Sequence, residues 1–212
     1  MYVKQTQERM IKITTYDCDP KCIVAWTKFK DPLQLADPNL MSNIPRDLKE
    51  RDKIALLDPE TLIELDSMTF QPNLKITNLK TFNLEDGRGR WKQTIAITYI
   101  IHKTDSFFSG WSLYYVFNEG GNAKMHLYSE NEDQSANEVI TEIFSVDGIL
   151  FVCIENRILQ YDQSTGQETK RRYDPILSYI TSTGVDKDNI LLGNIQNEIM
   201  YLSFRKDSKK LK

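Results

Sequence analysis

Two histidines, three cysteines and a scatter of carboxylate pairs are the residues of this chain whose chemistry could build a catalytic or metal centre. Cys18 and Cys22 have the spacing of half a zinc site, but a tetrahedral centre needs four ligands and no second pair follows. Cys153 lies inside an apolar run, where a thiol serves as a small buried hydrophobe. An odd thiol count in 212 residues also fits a reducing compartment rather than a disulfide framework. His102 precedes Lys103-Thr104-Asp105, a solvated setting, and His126 alternates with Met125 and Leu127 as a residue on the polar face of a strand does. Gly87-Arg88-Gly89-Arg90 offers two glycines but no following helix to aim N–H groups at a phosphate, so it reads as a hairpin tip. The pairs Asp17/Asp19, Glu85/Asp86 and Glu130/Glu132/Asp133 fall in turns, whereas glycosidic chemistry needs two carboxylates facing each other across a cleft. The expectation is a protein with no catalytic residues, no metal, no cofactor and no small-molecule substrate.

Three further constellations bear on binding. Lys170-Arg171-Arg172 is a basic run that could meet phosphate, and Lys206, Lys209, Lys210 and Lys212 form a basic tail over residues 205–212. Neither has interleaved aromatics at the density that single-strand stacking requires, and a solvated face and a frayed terminus account for both. Phe107-Phe108-Ser109-Gly110-Trp111 places two adjacent aromatics in a loop before a strand. Such a pair either tucks over the edge of a sheet or anchors a partner, because aromatics dominate interface hot spots. Phe107, Phe108 and Trp111 are therefore the candidate partner-binding residues, and Lys170, Arg171 and Arg172 the candidate nucleic-acid contacts.

The whole-chain balance weighs against a phosphate-driven role. Lys and Arg total 27 against 30 Asp and Glu, a formal charge of -3, where a nucleic-acid domain carries a cationic excess. The longest apolar run, Ile149–Ile154, is far below the roughly 20 residues of a membrane-spanning helix. The segment from Met1 to Arg9 lacks the apolar stretch of a signal peptide. With 40% hydrophobic residues, the composition reads as a soluble intracellular protein with no membrane partner.

The elements that must hold these residues are strands. Runs of five to eight residues rich in Ile, Val, Thr, Tyr and Phe recur between turn formers, and few stretches carry a helical period. They predict about fifteen strands, running from Met10–Tyr16 through Ile149–Ile154 and Arg157–Tyr161 to Glu198–Phe204. Asp147-Gly148 and Glu155-Asn156 are two-residue hairpin links that tolerate positive φ. The exception is a proline-rich variable loop at 31–52, with room for one short helix near Arg46–Arg51. An apolar strand at Ile149 followed by an alternating one at Arg157 repeats 40 residues later at Asn189 and Glu198. That spacing is one propeller blade, so residues 1–212 form an all-β region of three to four blades, each a four-stranded antiparallel sheet. Closed propellers typically have four to eight blades, and a blade cannot bury both faces alone, so the count predicts a partial ring that lies against further blades.

From roughly Thr15 to Leu211 the order of motifs resembles the C-terminal propeller region of a family of large nuclear scaffolds. Its members are the largest subunit of the cleavage and polyadenylation specificity factor, the large subunit of the UV-damaged DNA-binding complex, and the third subunit of splicing factor 3b. The resemblance is carried by Ile54–Leu65, Thr77–Leu84, Thr94–Thr98, Gly110–Phe117, Gly148–Tyr161, and Asn189–Asn194 with Ile199–Phe204. The chain departs from the pattern at Ile97-Thr98 (usually Gly-Thr), at Ser109-Gly110-Trp111 (an arginine is usual nearby) and at Gly193-Asn194 (usually Gly-Asp). Ile54–Leu65 with Thr77–Leu84 is most like the polyadenylation subunit, and Tyr161–Tyr173 is nearly as much like the splicing subunit. The resemblance implies a WD40-like, non-catalytic scaffold in the nucleus, partnered by other protein subunits and meeting RNA mainly through them. Its implied process is mRNA 3′-end cleavage and polyadenylation, with the spliceosomal and the ubiquitin-ligase or DNA-damage branches as alternatives.

Overall fold

A computed structural model describes residues 8–30, 50–85, 88–103, 105–132, 137–161, 171–173 and 179–212. Every regular element among them is a strand, and the strands form four antiparallel sheets of four, each taken from consecutive chain. Blade A holds β1 (Arg9–Tyr16), β2 (Cys22–Lys30), β3 (Glu50–Leu57) and β4 (Glu64–Thr69). Blade B holds β5 (Leu74–Glu85), β6 (Trp91–His102), β7 (Phe107–Glu119) and β8 (Asn122–Glu132). Blade C holds β9 (Ile140–Val146), β10 (Ile149–Ile154), β11 (Arg157–Tyr161) and β12 (Arg171–Tyr173). Blade D holds β13 (Ile180–Asp186), β14 (Asn189–Asn194), β15 (Ile199–Arg205) and β16 (Lys210–Leu211). The all-β propeller architecture expected from the strand spacing is the one observed, and the two strand pairs 40 residues apart occupy equivalent places in blades C and D.

Alternation along each strand sends side chains to both faces of its sheet, so every blade has two faces to cover. Three apolar clusters cover the sides on which blades face one another, one at each junction. Val24, Trp26, Ile54 and Leu56 of blade A meet Leu79, Ile95, Ile97 and Tyr114 of blade B. Leu84, Ala96, Trp111 and Leu113 of blade B meet Ile143, Leu150, Val152 and Tyr161 of blade C. Phe144, Phe151 and Cys153 of blade C meet Ile190, Leu192 and Phe204 of blade D. Central blades thus show continuous burial, as in β10, where all six residues are buried. Burial of one such aliphatic side chain contributes about 1.5–3 kcal/mol, which makes the junctions the main source of stability.

Three local differences from the sequence-based expectations have physical reasons. Phe107 and Phe108 are the first residues of β7 rather than a loop, because the ladder to β6 extends to the pair His102 and Phe107. Residues 31–49 of the variable loop lie outside the described residues, while 50–52 belong to β3 and pair with β2, so the short helix expected near Arg46–Arg51 does not include its last two residues. At the basic tail, residues 206–209 turn and Lys210–Leu211 pairs with Arg205 and Phe204, burying Leu211 in the junction of blades C and D. A single apolar residue among lysines was enough to recruit the segment as an outer strand.

Candidate interaction surfaces

The first strands of the blades adjoin one another in sequence, β1 with β5, β5 with β9 and β9 with β13, which places them innermost. Each contributes polar side chains to one continuous network. Lys12 on β1 donates to Asn78 Oδ1 on β5 at 2.8 Å, and Asn78 Nδ2 donates to Glu142 Oε1 on β9 at 2.7 Å. Lys80 forms an ion pair with Glu142 and reaches Thr183 Oγ1 on β13 at 2.9 Å. Thr183 in turn donates to Glu142 Oε2 at 2.9 Å. Glu142 is buried, so its charge is tolerable only because both oxygens are satisfied. Burial, together with the Lys80 charge, lowers the pKa of the Lys12 ammonium. The network joins all four blades at the inner end. Sequence reasoning did not find it, because its bonded partners are 41 to 103 residues apart and follow no motif.

The aromatic segment of β7 divides in two. Trp111 is 1% exposed, with its ring edge-on to Tyr161 of blade C at 5.4 Å, so it belongs to the interior of the junction. Phe107 and Phe108 stay half-buried at the start of β7. Phe107 N–H donates to Asn137 Oδ1 at 3.3 Å and its carbonyl accepts from Asn137 N–H at 2.9 Å, while the Lys103 ammonium sits 4.1 Å from the Phe108 ring centre. Farther along the same blade, Tyr115 is surrounded by Phe117, His126, Tyr128 and the Lys92 ammonium beside an open recess lined by Leu84 and Thr94. His126 is thereby placed on a solvent-facing strand, and His102 is exposed at the end of β6.

Of the basic clusters, Lys170 lies outside the described residues; Arg171 and Arg172 are in β12, opposite Gln160 and Leu159, and the Arg172 side chain is exposed. Lys206 bridges Asp188 at 3.3 Å and Asp147 at 3.7 Å, tying the β15–β16 turn to the hairpin of blade C. Cys18 is exposed, whereas Cys22 and Cys153 are buried. Burial pushes the Cys22 thiol up to about 11 and raises that of Cys153 further. Among the described residues no group of three or more His, Cys, Asp or Glu could hold a metal ion.

The last surface is the face of blade D turned away from blade C. Ile199 is 75% exposed, Tyr201 60% and Leu191 50%, and all three project from it in neighbouring rows. Such a face would be covered if four blades closed on themselves; its exposure shows that the ring is open.

A family model described as the CPSF A subunit region matches residues 51–212. The chain belongs to the CPSF A family. A search of curated proteins finds no match to it. The matched CPSF A region begins within β3 and runs through blades B, C and D, so the family pattern coincides with the stacked sheets themselves. CPSF A proteins are in general nuclear, non-catalytic scaffolds of RNA-processing or DNA-damage-binding complexes.

Proposed function

We propose that this CPSF A chain is a protein-interaction scaffold in a nuclear complex for mRNA 3′-end cleavage and polyadenylation. The observation that carries the scaffold part is the combination of the family match with blades whose side chains are spent on packing one another. A rigid stack offers fixed geometry at its loops and faces and needs no chemistry of its own. The polyadenylation branch rests on the likeness of Ile54–Leu65 and Thr77–Leu84 to that subunit. On this reading, RNA is met mainly through partner subunits, in keeping with a formal charge of -3. Phe107 and Phe108, held at the rim by Asn137, are the anchor for one such subunit.

Affinity purification of the tagged full chain from nuclear extract, followed by mass spectrometry, tests the proposal. The expected result is recovery of polyadenylation-factor subunits, reduced at least about tenfold by Phe107→Ser with Phe108→Ser. Recovery of splicing factor 3b subunits or of cullin-ligase subunits would move the chain to another branch, and recovery of no nuclear complex would overturn the scaffold reading.

A further inference from the structure

Blade B is longer than the blade that follows it. Its strands run 11 to 13 residues, against 7 or fewer in blade C. The row Trp111, Leu113, Tyr115 and Phe117 on β7 therefore begins inside the junction with blade C and ends beyond it. Trp111 and Leu113 belong to the apolar cluster of that junction, and Tyr115 and Phe117 do not. Their neighbours are aromatic instead. The Tyr115 ring lies 6.0 Å from Phe117, 5.1 Å from His126 and 6.4 Å from Tyr128. Tyr128 is the extra residue of a β-bulge, since Leu113 pairs with Ser129 and Tyr114 with Leu127. A bulge re-aims a side chain, and this one leaves the Tyr128 ring edge-on to Tyr115.

Tyr115 and Tyr128 line a recess with Leu84, Thr94 and Lys92. It encloses about 230 Å³ and is open to solvent, smaller than the roughly 300–1,000 Å³ of small-molecule sites and suited to one side chain. The Lys92 ammonium stands 5.0 Å from the Tyr115 ring centre and has no ion pair among the described residues. Glu85 pairs across from Trp91 and does not line the recess. The adjoining β5–β6 turn adds Arg88 and Arg90, both exposed, and Trp91, which is 55% exposed. Trp, Tyr and Arg are the residue types that dominate binding hot spots. A single cation beside aromatic walls suits a carboxylate next to an apolar ring. A phosphate backbone calls for a row of cations, and the chain as a whole carries a formal charge of -3.

We infer that this recess docks an acidic linear segment of a partner protein, with one aromatic side chain seated between Tyr115 and Tyr128 and a neighbouring carboxylate paired with Lys92. The guest ring gains edge-to-face contacts with the two tyrosines, which are worth more than the area they bury. The carboxylate draws on a charge that the fold leaves unneutralised, so the pair adds specificity for acidic over basic segments. Glu119 lies two residues beyond Phe117, so the guest's carboxylates belong at the Lys92 side and not at the β7–β8 tip. The recess is at the opposite end of β7 from Phe107, about 33 Å away for ten extended residues, and is thus a second docking point. The inference rests on the reading of the chain as a scaffold and on no branch of the family.

Fluorescence anisotropy of the purified full chain with short labelled Gly/Ser peptides is the test. One peptide carries Asp-Asp-Phe-Asp-Asp at its centre, a second Asp-Asp-Ser-Asp-Asp and a third Lys-Lys-Phe-Lys-Lys; a short polyuridine RNA is the fourth probe. The expected result is saturable binding of the acidic phenylalanine peptide, at least about tenfold tighter than either other peptide. Lys92→Glu should weaken that binding at least about tenfold and turn the preference toward the lysine peptide, because the charge at the recess is reversed. Tyr128→Ser, at an exposed bulge, should weaken it by a similar factor, and circular dichroism of both variants checks that the strands persist. Absence of saturable binding, or binding unchanged in both variants, would overturn the inference. So would RNA that binds more tightly than the peptide and is lost in the same variants, which would assign the recess to nucleic acid. A chain that binds none of the probes yet recovers nuclear subunits separates this failure from failure of the scaffold reading.

Discussion

At the residue scale, the charged groups that folding removes from water are those that tie strands of different blades. Asp52 on β3 is the clearest case. It has no exposed surface, and it accepts from Trp26 Nε1 at 2.6 Å and from Ile76 N–H of blade B at 3.2 Å, with Lys28 at 3.9 Å. Burial nevertheless outweighs these partners and raises its pKa above the ordinary carboxylate value. The linkage sign follows. Below the unfolded value of about 3.9 both states hold the proton and Asp52 contributes no pH dependence. Above it, the unfolded chain releases the proton first, so stability falls as pH rises toward the folded value, and the loss is complete beyond that point. Relative to Asp52→Asn, the wild type should therefore lose stability as pH is raised from about 3 through the acidic range, read from urea midpoints of the two proteins side by side. A difference that grows in favour of the wild type with rising pH would mean that the Trp26 and Ile76 hydrogen bonds dominate instead.

At the element scale, hairpin geometry fixes where one blade meets the next. Asp147 and Gly148 both have positive φ, 49 and 76, which is the geometry that matches the twist of the flanking strands. Gly148 is needed for a second reason: a Cβ there would come within 2.7 Å of Glu85 Cβ and 3.0 Å of the Glu85 nitrogen, which donates to the Gly148 carbonyl. Gly148→Ala should thus cost more than the roughly 1 kcal/mol of a strained turn alone, about 2–3 kcal/mol, since blades B and C must shift apart. Thermal melts of this variant beside Gly120→Ala, which has positive φ but open space around it, separate contact from conformation. Comparable losses in the two would assign the whole effect to φ. The turn itself was legible in the sequence, as were β10 and β11 residue for residue, because apolar runs between two-residue turns leave little freedom. β16 was not, since its recruitment depends on Leu211 finding a cluster built by residues from Phe144 onward. The inner network of Lys12, Asn78, Lys80, Glu142 and Thr183 escaped for the same reason: each residue is ordinary in its own strand, and the pattern exists only once the blades are stacked. The exposed face of blade D, with Leu191 and Tyr201, is of the kind the strand count predicted, since a partial ring leaves an apolar flank uncovered.

At the scale of the whole molecule, a stack of blades behaves as a short one-dimensional array, with stability set by each blade and by its junctions with neighbours. Blades B and C have two junctions each and blades A and D one. Blade D is the thinner of the ends, because its face beyond Leu191 and Tyr201 is open and β16 is only two residues long. Local opening should therefore begin there, and the order can be read by hydrogen exchange. Amides of β10 and β6 should exchange only through global unfolding. Those of β14 and β15 should exchange sooner, by about tenfold or more, through separation of blade D alone. Uniform protection across blades B, C and D would show a single cooperative unit in which the inner network centred on Glu142 binds the terminal blade as firmly as the apolar clusters do.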